Sequence, residues 1–453
     1  MNQRPLFVFF LFIFAPAIFA QQPSVRRLTI EEAVRVAMQK NSDLQSAHFE
    51  VDRADARVQE AWGYAMPSVS LSGRYTRTLK QPVFFIQVSD STGTSRLQQL
   101  RIGSNHAFDA GLTASQILFN GTVFVGVGAA SIYSEAARDM FRSKELETVT
   151  SVKKSFYQAL LAAEARDLMR SSLKNAEDNL RNVKLLRGQG ILSEYDELRA
   201  IVAVDNLRPS VIQAETNATL AVDGLKTVVG LDASEPIKIT GSMEYIPVDD
   251  SLLTAAPTIV LDRNPGFAAA QKQVGVNEAF VMAERSNYLP TIAAFGTYQY
   301  QSARNTFNVS TNDFIASSQV GLQLSLSLFQ GLQTNARVQQ AQVDVRKSQE
   351  QLTSIERKLK TGITAVVGSL TAARSRIQAQ ERTVEQAERG FKIVTTRFLS
   401  GAATQLEVND AELALTQAKV NRIQAKYDYL IAAAELDQLL GKLPPYLPSE
   451  DRD

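Results

Sequence analysis

The chain has 453 residues, with 48 Lys and Arg against 47 Asp and Glu, and no Cys. The near-cancelling charge excludes the basic footprint of a nucleic-acid-binding protein. The lack of Cys excludes a disulfide framework and a Cys-borne lipid anchor, and past residue 20 no apolar run approaches the ~18 residues of an ordinary membrane-spanning helix.

Residues 1–20 read as an export signal: Arg4 gives a positive start, residues 6–14 are apolar, and Ala20 before Gln21 offers a small-residue cleavage point. Residues 29–66 carry a helical pattern that stops at Pro67. A run with a period of two follows, Val69, Leu71 and Tyr75 alternating with Ser68, Ser70, Ser72, Arg74 and Thr76. Residues 78–105 carry no decisive signature and read as a loop; a weaker alternating run covers 108–117. Between Gly121 and Gly188 lie about 66 residues without Pro, a helix on the order of 100 Å at roughly 1.5 Å per residue. A turn at Gly190 leads to a shorter helix over 193–229, where Pro209 predicts a kink. Residues 231–251, rich in Pro, Gly, Asp and Ser, read as a loose link.

The same order then returns: a helix over 252–288, Pro290, alternating runs over 291–300 and 319–328, about 69 residues without Pro between Gly331 and Gly401, and a helix over 404–440. Residues 41–67 and 264–290 are equally long, as are 190–230 and 401–441, and 111–121 matches 321–331 in spacing. A period this long is not a solenoid repeat but a tandem duplication of a whole assembly. It divides the chain into a signal (1–20), a first repeat (21–230), a link (231–251), a second repeat (252–441) and a Pro-rich extended tail (442–453) lying near the link.

The alternating runs have the length of tilted strands that cross a bilayer. An ordinary half-buried sheet shows the same period, but here the opposite face is small and polar, and Tyr75, Phe108, Tyr298, Tyr300 and Phe314 fall near the ends, where an aromatic girdle lies. Four strands cannot close a barrel, and lipid does not tolerate an open edge, so copies must pool strands. Two copies give eight and a filled interior; three give twelve and a passage. The second long helix carries a seam of 3–4 steps from Val338 through Val345, Leu352 and Leu359 to Val366. It slips at Leu370 and resumes through Ala373, Ile377, Val384, Phe391 and Val394, the pattern of a coiled coil with a stutter. Two long and two broken helical columns per chain then match the four strands.

The chain resembles the TolC-type outer-membrane efflux proteins, the outer membrane factors. The likeness is carried by the paired corners Leu118-Phe119-Asn120-Gly121 and Leu328-Phe329-Gln330-Gly331 and by the turns beginning at Arg187 and Arg397. The entry from Leu28 to Ala33 and the helix-to-strand switches at Pro67 and Pro290 add to it. The resemblance implies a homotrimer, mostly α with membrane β: a 12-stranded β-barrel in outer-membrane lipid continued by a 12-helix α-barrel, with a small mixed equatorial region. It implies a long periplasmic extension whose tips dock on a periplasmic adaptor (membrane fusion) protein, which joins an inner-membrane pump. The tips would be Gly190, Ser193, Tyr195 and Asp196 with Gly401, Thr404, Leu406 and Glu407. Some relatives narrow the tunnel with acidic side chains; here residues 362–380 hold instead Arg374 and Arg376, the candidates for a constriction, while Glu381, Glu385 and Glu388 suit an exposed helix face.

An enzyme has little support, and no catalytic residue, cofactor or metal site is expected. His48 and His106 are the only histidines and lack partners at ligand spacing. Ser171 and Lys174 match an S-x-x-K pattern by chance within a polar helix, and Gly121, Gly126 and Gly128 lack the Lys of a phosphate loop. The remaining alternative is a coiled-coil structural or adhesive surface protein without channel activity, which has no need of bilayer-length alternating runs.

Overall fold

The computed structural model describes residues 26–89, 93, 95–308 and 310–447; the expected signal segment and the last six residues of the tail lie outside these. In chain order the elements are β1 (Arg26–Leu28), α1 (Ile30–Lys40), α2 (Ser42–Gly63), β2 (Ser68–Arg77), β3 (Val83–Ser89), β4 (Ser95–Arg101) and β5 (His106–Phe119). There follow α3 (Gly121–Gly188), α4 (Glu194–Val229), β6 (Ile237–Ile239), α5 (Asp250–Arg263), α6 (Pro265–Ser286), β7 (Thr291–Arg304), β8 (Ile315–Ser325), α7 (Gln333–Leu399) and α8 (Gln405–Leu439).

The fold is mostly helical, and its length comes from α3 and α7, unbroken over 68 and 67 residues. Each carries a shorter helix on either side of mid-height: α3 packs on α2, α6 and α4, and α7 on α6, α5 and α8. The seam of α7 is where its side chains are hidden: Val338, Ser348, Leu370, Ala373, Ile377 and Val384 are all buried. Small residues recur along it, so the helices pack closely with shallow interdigitation. The helix α4 runs on unbroken through Pro209.

Two expected helices are each divided in the structure. The pattern over 29–66 breaks at Asn41 and that over 252–288 at Asn264. Both Asn residues adopt extended backbone and cap the following helix, Asn41 Oδ1 accepting from Leu44 N at 2.9 Å and Asn264 Oδ1 from Phe267 N at 3.0 Å. At the second break Pro265 occupies the first helical turn, which both suits a helix start and pushes Asn264 out of helical geometry. The other amide atom does more: Asn41 Nδ2 donates to Val228 O at 2.8 Å and Asn264 Nδ2 to Leu439 O at 3.1 Å. Each break is thus locked to the C-terminal end of a half-height helix from elsewhere in the same half of the chain. Those ends turn at Gly230 (φ 79°) and Gly441 (φ 65°), and a Cβ at either would overlap a backbone carbonyl, of Lys40 and Arg263 respectively.

Around these joints lies the main core. One cluster gathers Leu28, Val34, Val152, Phe156, Leu225, Val229 and Met243, with Leu443, Tyr446 and Leu447 of the tail against it. Burial there pushes the Tyr446 hydroxyl up to about 12. A second cluster joins Val260, Ile363, Leu370, Ile377, Tyr429 and Leu436. The segment 231–251 is therefore not a loose link. Its β6 pairs in parallel with β1, Met243 is 3% exposed, and Val248 N donates to Tyr429 Oη at 2.8 Å, which donates in turn to Ile246 O at 3.1 Å. The sequence composition reads as a linker because polar and turn residues dominate it, while the few apolar anchors that tie it down are widely spaced.

Gly230→Ala and Gly441→Ala are expected to destabilise the fold by more than the ~1–2 kcal/mol of a left-handed residue, because each also drives a side chain into backbone. Gly190→Ala, at φ 74° with nothing within 4 Å of its Cβ position, carries only the conformational cost. Thermal unfolding of the three variants in detergent checks the order.

Candidate functional site: an open sheet and two helical tips

Four strands form one antiparallel sheet in the order β2–β5–β7–β8. Its register carries each face across every strand, since directly opposed residues point the same way. Leu71 stands opposite Leu112 and Leu112 opposite Tyr298; Ala294 stands opposite Leu322 and Ile292 opposite Leu324. This face is apolar and uncovered: Leu71 is 80% exposed, Val320 88%, Leu322 72% and Leu324 68%. The other face holds Ser68, Ser70, Ser72, Thr113, Ser115, Thr297, Gln299, Gln319 and Gln323, with serine hydroxyls bonded across the ladder, as in Ser68 Oγ to Ser115 Oγ at 2.8 Å. One ring sits on it, Phe295, and Gly321 makes the room: a Cβ there would lie 2.9 Å from Phe295 Cζ. The outer edges of β2 and β8 have no partner strand among the described residues.

The strands run longer toward the loops than the sequence pattern suggests. β7 reaches Arg304, and β8 covers 315–325 rather than 319–328, leaving Leu326 and Leu328 outside it. The reason lies in the partner: β7 begins at Thr291 opposite Ser325, preceded by Pro290, so the ladder has nothing further to pair with. The expected loop over 78–105 holds an antiparallel hairpin, β3–β4. Alternation does not reveal it because Val83, Phe84, Phe85, Ile86 and Val88 put apolar residues on both faces; the run of aromatic and β-branched residues is the signal that finds it.

Aromatic rings mark both ends of the apolar face. Tyr75 packs on Phe108 at 4.8 Å between centroids and on Phe307 at 5.8 Å, and Tyr298 and Tyr300 share a hydroxyl contact of 2.9 Å. Phe314, expected in this girdle, precedes β8 and lies outside the strands. At the helical end Trp62, Tyr64, Tyr288, Phe119, Phe124 and Phe329 are exposed.

The junction residues act differently in the two halves. Asn120 caps α3 through Val123 N at 3.2 Å and reaches Thr291 Oγ1 at 3.2 Å, while Gly121 lets the chain pass so close to α6 that a Cβ would lie 2.7 Å from Ser286 Cβ. At the other corner Gly331 (φ 58°) and Leu332 (φ 65°) are both left-handed, and Leu332 is the one non-Gly residue with positive φ among those described. Pro67 and Pro290 stand where α2 and α6 give way to strands, and Phe329 is exposed at its corner.

At the far end of α3 and α7, Gly190 (φ 74°) and Gly401 (φ 76°) turn the chain back. Ser193 and Asp196 form one capping box, Thr404 and Glu407 the other, so each returning helix starts with its first amides satisfied and a carboxylate against its dipole. Arg187 pairs with Glu197, and Arg397 Nη2 donates to Ala402 O at 2.8 Å, tying each turn to its own helices. Beneath lies a small core of Val183, Ala200, Phe398 and Val408. Tyr195, under the Arg199 guanidinium at 5.6 Å, and Leu406 remain exposed, as do Ile191 and Leu399.

Arg374 and Arg376 are placed away from these turns. Arg374 Nη1 pairs with Asp250 Oδ1 of α5 at 2.7 Å and Arg376 Nη1 with Asp428 Oδ2 of α8 at 3.2 Å. The Asp250 carboxylate holds the Arg374 guanidinium above its ordinary pKa. Twenty-five residues separate Arg374 from Leu399, roughly 37 Å of helix. Sequence spacing alone did not place these arginines beside equatorial carboxylates, since Asp250 lies 124 residues earlier in the chain. Glu385 pairs with Arg389 and Glu388 with Lys419, on exposed surface.

A sheet with an apolar face and open edges, helices on the order of 100 Å and a pair of capped tips define the architecture of an outer-membrane export channel with a long periplasmic body. The chain matches the outer membrane efflux protein family over residues 33–231 and 256–442. It is 25% identical over 338 residues to the alkaline protease secretion protein AprF of Pseudomonas aeruginosa, covering 73% of this chain and 69% of that protein. It is 22% identical over 343 residues to the outer membrane protein TolC of Vibrio cholerae, covering 74% and 76%. Among solved structures, the outer membrane protein VceC from Vibrio cholerae superposes with a TM-score of 0.73 at 17% identity, over 91% of this chain and 96% of that one. The chain belongs to the outer membrane efflux protein family and is an outer-membrane channel protein of export.

Ser193→Ala and Thr404→Ala each remove a helix cap at the tips and are expected to cost about 1 kcal/mol locally. Hydrogen exchange should quicken at residues 194–197 and 405–408, with the sheet and equator unchanged.

Proposed function

We propose that three copies of this chain close a twelve-stranded barrel in the outer membrane and continue it as a twelve-column helical tunnel. Through it, cargo delivered by an inner-membrane pump and a periplasmic adaptor passes passively to the exterior. The observation that carries this is the pair of open edges on a sheet whose uncovered face is apolar. Backbone groups on such an edge cannot be left unpaired in lipid, so β2 of one copy pairs with β8 of the next. Two copies make a barrel that its own side chains fill; three leave a bore lined by Ser, Thr and Gln. The recurring order of helix, strand, strand, long helix and helix, with matched Asn and Gly joints, supports a tandem duplication. Its repeats are 21–230 and 252–441, separated by the segment 231–251 and followed by the tail 442–453. The named secretion role of the Pseudomonas aeruginosa relative supports protein cargo, while the family description supports efflux of smaller molecules.

The tips are the adaptor contact. Exposed Tyr195 and Leu406 stand on turns held rigid by Gly190, Ser193 and Asp196 and by Gly401, Thr404 and Glu407, so a partner meets a preformed apolar knob. A rod or adhesin would need neither the apolar sheet face nor its open edges.

Because the chain lacks Cys, engineered pairs are clean reporters. Ser70→Cys combined with single cysteines scanned along 317–325 should give a disulfide-linked trimer from outer-membrane fractions, and the purified protein should conduct in planar bilayers. Monomer at every scanned position together with no conductance would refute the reading.

Arg374 and Arg376, each paired with a carboxylate of its own chain, are proposed as the constriction of the tunnel. Arg374→Ser and Arg376→Ser channels should then lose anion preference in reversal-potential measurements; unchanged selectivity would retire the constriction.

A further inference from the structure

Three neighbouring strands set a basic side chain in one row at the loop end of the apolar face. Arg77 of β2 stands directly opposite His106 of β5, and His106 directly opposite Arg304 of β7. The next row inward on the same face is Tyr75, Phe108 and Ser302, and further inward come Leu71, Leu112 and Tyr298. With strands about 4.8 Å apart, the three basic residues span about 10 Å. The row is held in place: Tyr75 Oη and His106 Nδ1 lie 2.9 Å apart, Phe307 packs against both rings, and Arg304 pairs with Asp313. Arg77 is exposed and has no carboxylate partner among the described residues.

The unpaired charge lies on this face, at Arg77, since Arg304 is paired with Asp313. At the same level the polar face holds only Thr76, Ala107 and Ala303, and one step inward Arg74 stands opposite Asp109, so the charges there offset one another. Along the strand axis the apolar face therefore reads aliphatic, then aromatic, then basic. That is the order of acyl chain, interface and phosphate that a strand meets on leaving a bilayer. Beyond the row, the sequence of the β3–β4 region adds Lys80, Arg96 and Arg101 against Asp90.

We propose that Arg77, His106 and Arg304 bind the phosphorylated headgroup of an outer-leaflet lipid of the outer membrane, with its acyl chains lying over Tyr75, Leu71 and Val69. The proposal rests on the reading of the apolar face as lipid-facing. A headgroup fits better than a protein partner because a cation on that face is tolerated only at interfacial depth, where phosphate is the complementary charge. Aromatic rings directly beneath the row fix that depth.

The test uses the full chain purified in detergent, with bis-phosphorylated lipid A as the probe and retention read by native mass spectrometry. Wild type should retain lipid A and lose it when the lipid phosphates are removed. The double variant Arg77→Gln, His106→Gln should bind at least about fivefold more weakly, Arg77→Lys should stay near wild type, and Arg74→Gln on the opposite face should be unaffected. Equal retention by the double variant and wild type, or equal retention of dephosphorylated lipid, would overturn the proposal. A Leu71→Trp reporter in a Trp62→Phe background, Trp62 being the only Trp, separates it from the underlying reading. Quenching by brominated acyl chains with unaltered lipid A binding in the double variant sinks the headgroup site alone; an unquenched reporter sinks the lipid-facing assignment and the site with it.

Discussion

Every backbone N–H and C=O on the free edge of a strand needs a partner, and hydrocarbon offers none. The sheet of this chain has two such edges, on β2 and β8, and an apolar face that water would not wet for long. Its hydrogen bonds are not completed among the described residues, and the proposed association of copies would complete them. The polar face agrees with the same constraint, because in the proposed ring the side that does not meet lipid encloses solvent.

The helical body answers a different demand, reach. Two helices of nearly 70 residues rely on packing against neighbours, and many of their buried positions are small Ala, Ser, Thr or Val residues that each cover little area. Their support comes from half-height helices that stack at mid-height, where an Asn serves at once as the cap of one helix and the donor to the end of another. The largest cluster of buried residues sits there, with the short β1–β6 pair and the tail packed against it. Core and joint coincide, so the waist holds the two halves of each column in line.

Much of this was legible in the residues. The strict alternation from Val320 to Leu324 and the Pro-free stretches after Gly121 and Gly331 leave little else for those segments to be; the seam of α7 is buried at Val338, Leu370, Ala373, Ile377 and Val384 and half-buried at Val345, Leu352, Leu359 and Val366. The breaks at Asn41 and Asn264 were hidden, because an Asn between apolar residues at helical spacing reads as a tolerated interior residue until the end of α4 or α8 is seen beside it. The Asn-Pro pair at 264–265 was a usable warning. The β3–β4 hairpin escaped because both its faces are apolar, and the ion pairs of Arg374 and Arg376 because their partners are distant in the chain. The basic row at 77, 106 and 304 exists only through register, which no single strand reveals.

The two strand-to-helix corners, so alike in spelling, differ in mechanics. At Gly121 the chain is wedged against Ser286 with no slack, so the rod that follows is riveted to its neighbour as it leaves the membrane. At Gly331 and Leu332 it swings through two successive left-handed residues, one of them a leucine, with open space where the glycine side chain would begin. A torsional load between sheet and helices would therefore pass rigidly through one rod and be absorbed at the other's elbow.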